Sequence, residues 1–85
     1  MTRTQYSVAR LIHSASQEIQ RGNWLEAGRK VGAMECIIGT SYREAVFLRK
    51  RAVEETPSAT EYARFVLGRS KEYAKRGVDF YPLIE

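Results

Sequence analysis

The chain predicts an all-α fold, a compact bundle of four helices built from helical hairpins, near 4–21, 23–38, 41–55 and 58–76, with a short apolar C-terminal tail. Three observations predict it. Apolar residues recur at helical spacing along most of the chain. N-terminal signals stand at nearly even intervals: Asn23-x-x-Glu26, Ser41-x-x-Glu44 and Ser58-x-x-Glu61. In each, a side-chain oxygen can accept from an early unpaired N–H, and the acid three positions on suits the positive end of the helix dipole. Gly22, Gly39 and Gly77 occupy the places where left-handed C-terminal caps belong.

The first helix carries one narrow apolar stripe, Val8, Leu11, Ile12, Ala15 and Ile19. The second is apolar on most sides: Trp24, Ala27, Val31, Met34 and Ile38 form one face, with Leu25, Ala33, Cys36 and Ile37 around the rest. Such a helix is expected at the centre. Gly28 and Gly32 line its flank four residues apart. Each weakens the helix by about 1 kcal/mol relative to alanine, so a close neighbouring helix is the expected compensation. Along the third helix Arg49 falls between Tyr42, Ala45 and Val53, while Phe47 points off that face. Pro57 disfavours helical geometry at Thr56 and separates the third helix from the fourth. The fourth aligns Tyr62, Phe65, Val66 and Tyr73 on one side. Opposite them run Arg64, Lys71 and Lys75, with Arg69 and Arg76 towards the edges.

Eighty-five residues suit one helical domain over 1–77, with 78–85 as a tail that packs on the core or on a partner. At this length folding buries only about 60–65% of the surface of the unfolded chain, so the core is thin. A single cysteine, Cys36, cannot form an internal disulfide, which fits a reducing compartment. The longest apolar run is Ala45-Val46-Phe47-Leu48, too short to span a membrane, so a cytoplasmic protein without membrane contact is expected. Fourteen Lys and Arg against ten Asp and Glu give a net charge of +4, which permits an acidic partner without requiring one.

Residues 11–38 resemble one tetratricopeptide unit: Leu11, Ala15, Gly22-Asn23-Trp24, Ala27 and Val31 fall near that repeat's large, small and turn positions. The likeness implies helix-hairpin geometry. It does not recur, because one repeat further on the small position of Ala15 is taken by Arg49. A helix-turn-helix centred on Gly39 fits worse. Glu35 stands where the two helices need a small residue, Ala45 where a bulky aliphatic belongs, and Thr40 where an apolar residue follows the glycine; only Leu48 fits.

Catalytic chemistry has little to work with. One histidine, His13, and one cysteine cannot build a zinc site of the usual two-plus-two kind within one chain, and no phosphate-loop or dinucleotide-binding motif occurs. No catalytic, cofactor-binding or metal-ligating residue is therefore expected, and no cofactor. Glu35 and Arg49 both fall on apolar faces, and buried charges are usually paired, so a structural Glu35–Arg49 pair is expected. The leftover apolar surface, Phe47 with Val78, Phe80, Tyr81, Leu83 and Ile84, suggests contact with another protein or a second copy, a dimer being favoured. The expected function is thus a non-enzymatic protein–protein interaction module: an adaptor, assembly factor or self-associating subunit. The alternative is a small basic nucleic-acid-binding protein using Arg64, Lys71 and Lys75.

Overall fold

The computed structural model describes residues 1–81. Four helices follow in order: α1 (Arg3–Arg21), α2 (Trp24–Ile38), α3 (Arg43–Glu55) and α4 (Ala59–Arg76), with no strand among the described residues. The all-α bundle expected from the sequence is what forms. Its radius of gyration, 11.8 Å, matches the value of about 12 Å for a folded chain of this length. No helix among the described residues is long and apolar enough to cross a membrane.

The caps differ from expectation in instructive ways. Helix α1 opens with a full capping box, Thr2 with Gln5, in addition to the three expected N-terminal signals. The Thr2 N–H donates to Gln5 Oε1 at 2.8 Å, and the Gln5 N–H donates to Thr2 Oγ1 at 3.1 Å. Asn23 makes no side-chain cap, and its Nδ2 donates back to Glu18 Oε2 at 3.1 Å. Ser41 lies outside α3, which starts after Tyr42. Ser58 accepts from the Glu61 N–H at 3.3 Å, as its spacing predicts. Gly22 and Gly77 end α1 and α4 in the left-handed conformation.

Helix α2 is the hub and packs against each of the other three. Trp24, Ala27, Val31 and Met34 join Val8, Ala15 and Ile19 of α1, Ala45, Leu48 and Ala52 of α3, and Phe65 of α4 in one core. Two details of the expected faces change. Ile38 is 41% exposed at the end of α2, and Val53 is 49% exposed, because α3 turns its Ala45/Leu48/Ala52 side inward.

The closest approach is between α2 and α4. A Cβ added to Gly28 would overlap the backbone carbonyl of Phe65, and one added to Gly68 would overlap that of Leu25. At Gly32 it would come within 3.0 Å of the Arg69 Cα. The close neighbour expected along the Gly28/Gly32 flank is α4, and its own Gly68 completes the crossing.

Candidate functional site

The α2–α4 crossing brings a charge centre into the core. Glu35 on α2 has a fully buried side chain. Arg69 on α4 grips it with two bonds, Nε to Oε1 and Nη2 to Oε2, both at 2.9 Å. Arg49 on α3 donates Nη1 to Oε2 at 2.6 Å and to the Thr40 carbonyl at 2.9 Å. The Tyr73 hydroxyl donates to Oε1 at 3.2 Å. One carboxylate thus ties three helices together, with the two-bond planar geometry that suits a guanidinium.

The segment after Gly77 covers this centre. Phe80 meets the Tyr73 ring edge-on at 4.9 Å between centroids, and the Arg69 guanidinium lies 5.4 Å from the Phe80 ring centre. Among the other residues expected at an interface, Phe47 is 60% exposed on α3, Val78 and Tyr81 are exposed, and Leu83 and Ile84 lie outside the described residues.

Burial pushes the Tyr73 phenol up from 10 to about 12; the neighbouring Glu35 carboxylate pushes the same way and Arg69 opposes it. The folded chain therefore holds this proton more tightly than the unfolded chain. Its stabilising effect is intact below pH 10 and is lost as pH rises from about 10 to about 12. Urea unfolding at pH 9 and pH 11 is expected to show a larger loss of stability for the native chain than for Tyr73→Phe. Equal losses would show that Tyr73 does not titrate in this way. The Cys36 thiol, half-buried, is likewise raised by burial, with Arg76 pulling it down.

The second feature is open to solvent. A groove runs between α1, α2 and the last turns of α4, with one cavity of about 470 Å³ lined by Ser7, Arg10, Leu11, Ser14, Lys30, Ile37 and Arg76. It adjoins another of about 330 Å³, where Leu11, Lys30 and Arg76 are joined by Glu26, Arg29, Ala33, Glu72 and Lys75. Among the described residues, Arg10, Lys30 and Lys75 take part in no ion pair; Arg10 only rests over the Tyr6 ring at 5.8 Å. Cationic side chains beside serine hydroxyls, on rigid helices, are suited to holding an anion. Among the described residues no cluster of His, Cys, Asp and Glu could hold a metal ion.

Of the residues expected to bind phosphates, Arg64, Lys71 and Lys75 are exposed on α4, and Arg64 lies 3.8 Å from Glu61. Arg69, expected at the edge of that stripe, is 2% exposed and belongs to the buried centre. The signal for it was present: Phe65, Arg69 and Tyr73 stand four residues apart, on one helical line. Ser7, Arg10 and Ser14 show the same kind of spacing on α1, and they line the groove.

No known protein family and no solved structure matches the chain. It is similar to an orotate phosphoribosyltransferase of Rhizorhabdus wittichii, 43% identical over 68 residues, which takes in 78% of this chain and 33% of that protein. This likeness to an enzyme overturns the expected non-enzymatic interaction module and the nucleic-acid-binding alternative. The expectation failed for a physical reason: an incomplete set of catalytic groups does not separate a free-standing binding module from a portion of an enzyme. The chain spans about a third of the length of the relative it matches.

Proposed function

We propose that this chain is a helical binding unit of phosphoribosyl transfer, holding an anionic group of a substrate in the groove between α1, α2 and α4. The observation that carries the reading is the lining of that groove, with Arg10, Lys30 and Arg76 beside the hydroxyls of Ser7 and Ser14. The likeness to an orotate phosphoribosyltransferase supplies the chemical class, since orotate bears a carboxylate and a phosphoribosyl group bears a phosphate. Binding, and not bond-making, is the role given to the chain itself: His13 is exposed, and the carboxylates Glu35 and Glu72 are already engaged by guanidinium groups. The free Cys36 supports a reducing, cytoplasmic setting for this role.

Titration of the folded chain with orotate, and separately with ribose 5-phosphate, tests the reading by amide chemical shifts at low salt. Perturbations are expected at Ser7, Ser14 and Lys30 with at least one of the two. Replacing both Arg10 and Lys30 by Gln is expected to weaken the binding by about tenfold or more, since each charge-assisted bond contributes about 1.5–3 kcal/mol. Millimolar concentrations of both compounds leaving those amides unmoved would overturn it.

A further inference from the structure

We infer that Glu72 is a positioning residue which presents Arg76 and Arg29 to a phosphomonoester dianion in the smaller compartment of the groove. The inference rests on the reading of the groove as an anion site and names both the ligand class and the residue that organises it.

Glu72 is an unusual neighbour for an anion. Its side chain is 7% exposed, yet it borders a compartment open to water. It accepts from Arg76 Nε at 2.9 Å, and its other oxygen lies 3.9 Å from Arg29 Nε. Both arginine side chains are 40% exposed, so their inner edges meet Glu72 while their ends reach the groove. Among the described residues the terminal nitrogens of Arg76 make no hydrogen bond, and Arg29 spends only Nη1, at 3.4 Å, on Glu26. Arg76, held by Nε, keeps a planar pair of terminal donors, the arrangement that binds a phosphate through two parallel bonds, while Arg29, ion-paired to Glu72 at the longer distance, adds its charge and Nη2 to the same compartment.

The charge of the compartment points to the same class. Arg29, Lys30, Lys75 and Arg76 face Glu26 and Glu72, an excess of two positive charges. A phosphomonoester carries a charge of about −1.5 to −2 at pH 7, with its second ionisation near pH 6, whereas a carboxylate carries one charge. The compartment of about 330 Å³ also admits a phosphate with part of a sugar.

The sign of one substitution separates positioning from simple proximity of charge. If Glu72 were only a nearby negative charge, Glu72→Gln would tighten anion binding. As a positioning residue it is expected to do the opposite, weakening ribose 5-phosphate by about tenfold, because the fork is no longer held in place. Arg76→Lys supplies a second test on an exposed side chain, keeping the charge but losing the fork. It is expected to weaken ribose 5-phosphate by a similar factor while the thermal midpoint stays within a degree or so of the native chain. Binding of ribose 5-phosphate by the native chain is expected to strengthen as pH rises from about 5 to about 7, following the second ionisation of the phosphate. Inorganic phosphate in place of ribose 5-phosphate shows whether the sugar contributes. Tighter binding in Glu72→Gln, or unchanged binding in Arg76→Lys, overturns the inference. So does binding of orotate without ribose 5-phosphate, which leaves the anion groove itself standing; binding of neither removes the groove reading as well.

Discussion

Replacing Glu35 by Gln is expected to lower the stability of the chain by about 3–5 kcal/mol, the loss typical of breaking a buried ion pair from one side. The carboxylate accepts from Arg69 twice, from Arg49 and from Tyr73, so four bonds of the centre end on its two oxygens. An amide of the same shape offers one acceptor oxygen and turns an NH2 group toward donors, leaving buried guanidinium hydrogens facing hydrogens. A bridge of Glu35 and Arg49 alone would put the same loss on Arg49→Ala. The observed centre shifts it: without Arg49, Glu35 still keeps the two-bond grip of Arg69 and the Tyr73 hydroxyl. Arg69→Ala is therefore expected to cost more than Arg49→Ala. A double-mutant cycle across Glu35 and Arg69 is expected to return a coupling above about 1 kcal/mol. Urea midpoints that rank Arg49→Ala as the more damaging, or that barely move for Glu35→Gln, would reject this account.

The centre shows which parts of the fold were legible beforehand. Helix positions follow from local rules, so periodicity, the glycines after α1, α2 and α4, and Pro57 after α3 located the four helices to within a few residues. Glu35 and Arg49 stood out because a charge on an apolar face needs a partner. Arg69 did not, since it stands among Arg64, Lys71, Lys75 and Arg76, and its inward direction is set by α4 lying on the glycines of α2. Ser41 misled for a similar reason: its spacing to Glu44 satisfies the local pattern, yet α3 starts one residue beyond Tyr42.

The groove was less legible still. Its cations come from three helices, Arg10 from α1, Arg29 and Lys30 from α2, and Lys75 and Arg76 from α4, so no single helix carries the set. A basic stripe on one helix is visible in a sequence; a basic groove between helices exists only after packing. That difference explains why the expected phosphate contacts were placed along α4 alone, and of Arg64, Lys71 and Lys75 only Lys75 lines the groove. It also explains why Glu72, which no local pattern singles out, carries the most specific inference about the groove.

The same dependence on packing sets the other large expected effect, that of Gly68→Ala. Alanine is the better helix former by about 1 kcal/mol, so local propensity alone predicts a gain at this position in the middle of α4. The crossing predicts a loss. The added Cβ would overlap the backbone carbonyl of Leu25 and crowd the Arg29 amide at 2.9 Å, and neither can move unless the two helices part. Separation would also stretch the bonds from Arg69 to Glu35, one residue beyond Gly68 in sequence. Overpacking typically costs about 1–3 kcal/mol; against backbone, and with the charge centre coupled to it, about 3 kcal/mol or more is expected after the propensity gain. For a domain of this size that corresponds to a fall in the thermal midpoint of roughly 12–24 °C. Gly28→Ala meets the carbonyl of Phe65 in the same crossing and is expected to behave alike. Gly77→Ala is the contrast. Nothing lies within 4 Å of its Cβ position, so only the left-handed backbone, φ +69°, opposes the change, at a cost of about 1–2 kcal/mol. Equal midpoints for Gly68→Ala and Gly77→Ala would mean that α2 and α4 do not cross backbone to backbone. The groove tests then give the functional side of the same geometry, since parting α2 from α4 also moves Lys30 away from Arg76.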